Sequence, residues 1–503
     1  MFDVIGKKRL AVILSLTVGY ILLFAPYIYS VFYSMPANDD FPLGSAWWGG
    51  NILTEAFKRA GWNYMNWFGQ SGLLAIIIQV LCNPFYWLKN AGHSFGICMV
   101  VVFVMVYGGI LLAARRIIKL MDEDISNSLL DLFTFLLALL IFTCYYYNDV
   151  YNWWSAVPGY SLMMLVTILN IGNMIKYCNT HSKKDYIWML VTGLICCTAL
   201  MCCVTTGLFY LLFIFVKDYK SDDSIIKKII PLLLYILSGV ITVAAPGNSH
   251  RTEYEIMLGR QVETTRHYFK AAYVTVLDMQ QRFVATLQEK PWVLLIGLLI
   301  IFVGIAANKN GKKIKLSAIV LGIIATCISS FGAVYPYVLA NNNEVGAELA
   351  YRVYFMQDYI LYIGFAVNLF LLGMWMVGKL SHEAVTSKKR CKSQILLAFV
   401  LGLWCLVSPG KTYFVPMEIV QDADIIQDNY YLWNGILEEI ETSDEADVVV
   451  NRQEVTWSRY VYPCGLVGDD SSDWPVGDDI YYCGCNQAVA RIFGKNSVSV
   501  VLE

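Results

Sequence analysis

Two adjacent carboxylates, Asp39 and Asp40, stand a few residues beyond the first strongly apolar stretch, Leu10 to Val31. Carboxylates are costly in hydrocarbon and ordinary in water, so a pair at such a boundary marks a place where protons or cations are handled. Further along, His250 and Arg251 follow the turn-forming run Ala245-Pro246-Gly247-Asn248-Ser249. Arg352 opens another apolar stretch within Tyr351-Arg352-Val353-Tyr354, and Asp149, Trp153 and Trp154 share one aromatic run. A carboxylate can take a proton from an attacking hydroxyl. An arginine can hold a phosphate through a planar fork of donors and stabilise it as it leaves. Tyr and Trp faces stack on sugar rings. The set suits a phosphorylated lipid and a sugar.

Each piece also has a plainer reading. An Asp-Asp pair just after a helix serves as a turn or a cap. Arg251 can pair with Glu253, Glu255 or lipid headgroups, and His250 and His267 can be surface histidines. Trp153 and Trp154 suit an interfacial aromatic belt. Arg352 lies close to a span, where an unpaired cation is expensive, and Asp149 is its candidate partner. Glu344, Glu348 and Asp358 rank lower.

These residues need a membrane framework. The chain has 503 residues, 57% apolar and 15% charged, where a soluble domain carries about 25% charged residues. Its mean hydropathy is +0.53. An ordinary soluble enzyme is excluded, and a net charge of −2 with no polybasic tail argues against nucleic acid. Lys7-Lys8-Arg9 precede a long apolar run with no small-residue cleavage site, which reads as an uncleaved membrane helix. The lack of an Asn-x-Ser/Thr acceptor agrees with a bacterial source. Most of the fourteen cysteines lie in apolar runs as small hydrophobes. Cys464, Cys483 and Cys485 lie in the polar C-terminal part, where one disulfide from Cys464 to Cys483 or Cys485 suits an oxidising compartment.

Apolar segments long enough to span fall at 10–31, 94–114, 129–147, 157–175, 229–245, 292–307, 316–337, 358–378 and 394–409. The run 186–216 reads as two short helices, because only then do the basic loops lie on one side at every crossing. The expected fold is an all-α polytopic membrane domain over residues 1–409 with about 11 transmembrane helices. Its N-terminus is cytoplasmic, and its outer loops are 32–93, 246–291 and 338–357. A small mixed α/β outer domain follows over 410–503. Strands are expected at Asp447 to Asn451 and Val498 to Leu502, and a loop over 468–479. Leu73 to Leu88, broken at Asn83-Pro84, is expected to lie flat at the surface or dip in and return.

Asn38-Asp39-Asp40-Phe41, the half-embedded first loop and the general layout resemble the GT-C class of membrane glycosyltransferases. Tyr151-Asn152-Trp153-Trp154, Ala245 to Arg251 and Tyr351-Arg352 look like elements of a poorly characterised bacterial family associated with cell-surface polysaccharide loci. The resemblance implies transfer of a sugar from a polyprenyl-phosphate donor to a glycan or lipid acceptor on the outer face of the plasma membrane. It implies Asp39 or Asp40 as the base or a metal ligand, Arg251 and Arg352 on the lipid phosphate, and His250 assisting. Asn248, Asp149, Trp153 and Trp154 complete the expected substrate-binding set. A phosphate-linked donor has a good leaving group, so no cofactor is required, and a divalent cation (Mg or Mn) at the paired acids stays open. Gln70 stands where a basic residue is expected in the closest relatives. The alternatives are a polymerase or ligase acting on lipid-linked oligosaccharide, and a lipid or glycan transporter or flippase. Against the last, the spans are poor in ionisable groups and show no matching halves.

Overall fold

The computed structural model describes residues 2–45, 51–67, 72–89, 92–218, 224–257, 265–308, 311–379, 414–466, 468 and 484–503. Nearly all of the apolar sequence is helical, as it must be where no water can satisfy backbone amides and carbonyls. Six helices are long and apolar enough to cross a membrane: Ile13–Phe32, Ser94–Met121, Trp154–Thr180, Ile225–Glu253, Leu316–Asn341 and Tyr351–Gly378. A seventh crossing arises if Tyr268–Glu289 and Trp292–Ala307, bent by 91° at their junction, count as one broken span. The bend falls at Lys290-Pro291, where proline lacks the amide needed to continue the helix.

Eleven full-length spans are therefore not what forms among the described residues. The expected spans at 129–147 and 186–216 are the helices Asn127–Phe142, Lys183–Cys196 and Leu200–Phe209, the last continued by a π-helical turn. The first two have 16 and 14 residues. At a rise of ~1.5 Å per residue they reach roughly 21–24 Å, short of a hydrocarbon layer of about 30 Å. The run 186–216 does divide in two, at Cys197–Ala199. The expected span 394–409 lies outside the described residues.

Two features set the packing. A ring-lined core runs through Tyr27, Phe103, Tyr107, Phe142, Tyr151, Phe355 and Tyr359, with most pairs edge to face. Its hydroxyls are satisfied inside: Tyr27 donates to the Phe142 carbonyl at 2.8 Å, and the Tyr151 and Tyr359 hydroxyls meet at 2.9 Å. The second feature is close backbone approach. A Cβ at Gly304 would strike the Phe370 carbonyl oxygen, and one at Gly373 the Ile301 carbonyl oxygen. These two glycines let Trp292–Ala307 and Tyr351–Lys379 touch backbone to backbone.

The segment between Ile13–Phe32 and Ser94–Met121 carries the helices Ile52–Trp62, Gly72–Leu81 and Pro84–Leu88. Asn83 makes the break between the last two, accepting from Phe85 N at 2.9 Å and Tyr86 N at 3.4 Å. The C-terminal part is mixed α/β as expected. Helices Val415–Gln421 and Ala423–Thr442 lead to β1 (Asp447–Arg452), which pairs in parallel with β2 (Ser497–Leu502). The helix Cys485–Phe493 precedes β2. Both strand expectations hold; most of 468–479 lies outside the described residues. Cys464 and Cys485 are not bonded to each other, and Cys483 lies outside the described residues.

This C-terminal part is bonded to the membrane domain along its length. Tyr29 donates to the Ala423 carbonyl at 3.1 Å and accepts from Gln427 at 2.7 Å. Ser30 Oγ donates to the Tyr460 carbonyl at 2.5 Å, and Asn148 Nδ2 to the Val461 carbonyl at 3.2 Å.

Candidate functional site

The loop after the first helix ends in a short helical turn, Asp40–Gly44. Asn38 adopts φ 44°, a left-handed conformation that asparagine tolerates better than most residues. Its amide donates to the Cys464 carbonyl at 2.8 Å, so the C-terminal part helps to hold the turn. The two aspartates then diverge. Asp40 is fully buried, and its carboxylate is filled by its own chain. Oδ1 accepts from Ser155 N at 2.8 Å and Ser155 Oγ at 2.5 Å; Oδ2 accepts from Ala37 N at 3.1 Å. Asn83 Nδ2 donates to the Asp40 carbonyl at 2.9 Å. Burial raises the Asp40 carboxyl to about 7 even though these donors pull it down. With its oxygens engaged, Asp40 fastens the loop to the turn Trp154–Ala156.

Asp39 is half-buried, and among the described residues no donor meets its carboxylate. Burial pushes its pKa up, while the charges of Arg352, Arg251 and Arg59 pull it down, in that order. The charges of three arginines from three parts of the chain thus act on one acid, with none of them in ion-pair contact with it among the described residues. Arg59 is buried on the helix Ile52–Trp62, and its Nη2 donates to the Pro42 carbonyl at 2.9 Å.

Arg352 stands at the start of the helix Tyr351–Lys379. Its Nη1 bonds Asp149 Oδ2 at 3.0 Å, delivered by the helical turn Asn148–Tyr151. Its guanidinium lies 5.9 Å from the ring centres of both Trp153 and Tyr160. Trp153 donates Nε1 to the Ala37 carbonyl at 3.0 Å and stacks on Tyr462, with centroids 4.6 Å apart and planes 7° from parallel. Trp154 is different. Its Nε1 donates to the Gln79 carbonyl at 3.0 Å, and its ring is buried away from Arg352 as a support for the first loop.

On the other flank, the helix Ile225–Val243 ends, and Pro246 begins a new one after two alanines. Pro246 suits that position because the first helical amide has no partner to lose. Asn248 Nδ2 donates to the Thr242 carbonyl at 2.9 Å and so closes the end of the preceding helix. The next turn presents His250, whose Nδ1 lies 2.9 Å from the Met65 carbonyl, and Arg251, whose guanidinium lies 5.1 Å from the Trp67 ring centre. The π-helical turn Asn63–Trp67 of the first loop thereby docks on both.

The structure brings Arg352, Asp149 and Trp153 into contact; Asp39 feels the charges of Arg352 and Arg251, while Arg251 and His250 themselves lie against Trp67 and Met65. Asp40, Trp154 and Asn248 serve as supports. Sequence reasoning did not single out Arg59, Tyr160 or Tyr462 as site residues. Arg59 carried a signal, an arginine on the buried side of an amphipathic helix; Tyr462 carried none. A divalent cation does not fit here: Asp40 is saturated by its own chain, Asp149 is paired, and Asp39 stands among three guanidiniums. No group of three metal-ligating side chains gathers among the described residues. A separate hollow of about 740 Å³, bordered by Asn486, Arg491, Lys495 and Ser497 beside β2, includes none of these residues.

A second ionic cluster lies deeper. Arg282, on the helix Tyr268–Glu289, bonds Asp358 through Nη2 at 2.6 Å and Nε at 2.9 Å. Tyr147 donates to the same carboxylate at 2.6 Å. The guanidinium is sandwiched by the rings of Tyr145 at 4.3 Å and Tyr354 at 3.9 Å. This cluster clamps the bent helix onto the Tyr351–Lys379 helix.

No protein-family model matches this chain, and no curated protein matches it significantly.

Proposed function

We propose that the chain is a membrane glycosyltransferase that moves a sugar from a polyprenyl-phosphate carrier to a glycan or lipid acceptor on the outer face of the membrane. The observation that carries this reading is Asp39, half-buried and without a hydrogen-bond donor among the described residues, within reach of the charges of Arg352, Arg251 and Arg59, with Arg352 held in place by Asp149 and Trp153. In the reaction, an acceptor hydroxyl gives its proton to the Asp39 carboxylate, and its oxygen forms the new bond to the anomeric carbon. The bond from that carbon to the phosphate oxygen breaks, and its electron pair leaves with the lipid phosphate. Arg352, held by Asp149, and Arg251 stabilise the departing charge. Burial raises the proton affinity of Asp39, as a base requires, and the charges of the arginines act against that rise.

This reading places the N-terminus in the cytoplasm and the C-terminal part outside. Transfer from a polyprenyl-phosphate-linked sugar, measured for the wild type, Asp39→Asn and Arg352→Ala in reconstituted membranes, is the test. Loss of transfer in both variants supports it; full activity in Asp39→Asn ends it. Activity that survives loss of Asp39 but is abolished with Arg251 or Arg352 points to a ligase of lipid-linked oligosaccharide.

A further inference from the structure

Residues 458–466 leave the C-terminal domain and run directly beside the aspartate loop. Ser458, Tyr460, Val461, Cys464 and Leu466 are buried, whereas Tyr462 between them is half-exposed. The segment is fixed at both ends of its contact. Tyr460 O accepts from Ser30 and Val461 O from Asn148; Cys464 O accepts from the Asn38 amide. At Gly465, φ is 87°, and a Cβ would collide with the Asn38 side-chain oxygen, so only glycine lets the segment pass this close. Tyr462 is thereby delivered flat against Trp153, the same ring that faces the Arg352 guanidinium. The charges of Asp149, Arg352 and Asp39 all reach its hydroxyl, which sits next to the Asn38 side chain.

We propose that the C-terminal domain is part of the substrate site and that Tyr462 is its contribution, a specificity residue that contacts the donor sugar next to the phosphate-binding arginines. This rests on the glycosyltransferase reading. The ring, clamped by Trp153, offers a rigid amphipathic surface of low conformational entropy, and the hydroxyl offers a donor and an acceptor to sugar hydroxyls. The lipid phosphate is left to Arg352 and Arg251. The domain therefore reads the sugar, while the membrane helices read the carrier.

That division separates a binding role from a merely structural one. Full-length protein in nanodiscs is titrated with a short polyprenyl-phosphate glycoside and with the same polyprenyl phosphate lacking its sugar. Tyr462→Phe keeps the stack and Tyr462→Ala removes it. The expected result is a roughly fivefold loss of glycoside affinity for Tyr462→Phe, as for one hydrogen bond, and at least tenfold for Tyr462→Ala. Affinity for the bare phosphate stays at the wild-type value. Equal weakening toward both ligands assigns Tyr462 to folding and overturns the proposal, as does unchanged glycoside affinity in both variants. If the wild type binds neither ligand, the glycosyltransferase reading itself falls and takes this inference with it. If the wild type binds the glycoside and only the Tyr462 variants disagree with expectation, the inference falls alone.

Discussion

The two ionic clusters use the same residue types toward opposite ends. At Arg282–Asp358 the carboxylate is met by a forked guanidinium and a tyrosine hydroxyl, with the Tyr145 and Tyr354 rings close to the arginine. At Asp39 the acid has three cations nearby and no donor among the described residues. Completed hydrogen bonding in a buried place makes a clamp. Charge brought near but left uncompleted makes a place for a ligand to finish. The same contrast is repeated within two residues, since Asp40 is closed by Ser155 and Ala37 while Asp39 is open.

The sharpest way to break this comparison is to neutralise both kinds of acid. Asp39→Asn should cut transfer by about 10²–10⁴-fold, the usual worth of a positioned base, with an unchanged melting temperature. An Asp39→Asn protein with ordinary turnover, or one that unfolds, would erase the distinction. Asp358→Asn should behave in the reverse sense, lowering unfolding free energy by about 3–5 kcal/mol because Arg282 keeps a buried, unmatched charge. Replacing both members by apolar residues of similar volume should recover most of that loss, which thermal unfolding in detergent can read.

Asp40 sharpens the comparison through pH. Its folded-state pKa is raised from 3.8 to about 7, so the folded protein binds the proton more tightly than the unfolded chain. Its contribution to stability is full below the unfolded value and is lost as pH rises through about 7. Between pH 4 and 7 the wild type should lose up to about 1.4 kcal/mol of stability per pH unit relative to Asp40→Asn. Parallel stability curves for the two proteins would contradict the closed-acid assignment. The smallest effect is expected at Arg251→Ala, which removes one exposed phosphate contact and its stack on Trp67. Donor kcat/KM should fall about fivefold, a loss near 1 kcal/mol carried by kcat, because Arg251 acts on the departing charge and Arg352 still holds the phosphate.

Much of this was legible in the chain. Apolar length located the helices, alternation located both strands, and the expense of charge near lipid pointed to Asp39, Arg251, Arg352 and Asp149. Arg352 and Asp149 do pair. What the chain could not disclose depends on tertiary partners. Asp39 and Asp40 are chemically identical neighbours until Ser155 arrives from more than a hundred residues away and closes one of them. Arg282 carried no signal of its own, because its partner Asp358 lies on a different helix. Span number was less legible for a related reason: hydropathy reports composition, and the helices Asn127–Phe142 and Lys183–Cys196 are apolar without being long. Tyr462 sits in a tail with no periodic signal, and only the fold brings it to Trp153.

Asn83 has a wider reach than its place in the first loop suggests. One face of its amide stops the helix that runs into Leu81 and starts the next, while the other grips the backbone of Asp40. The apolar hairpin and the reactive turn are thus tethered by a single side chain, and a disturbance of either is transmitted to its neighbour. Any shift of those two helices therefore reaches the Asp40 carbonyl directly, one residue from Asp39.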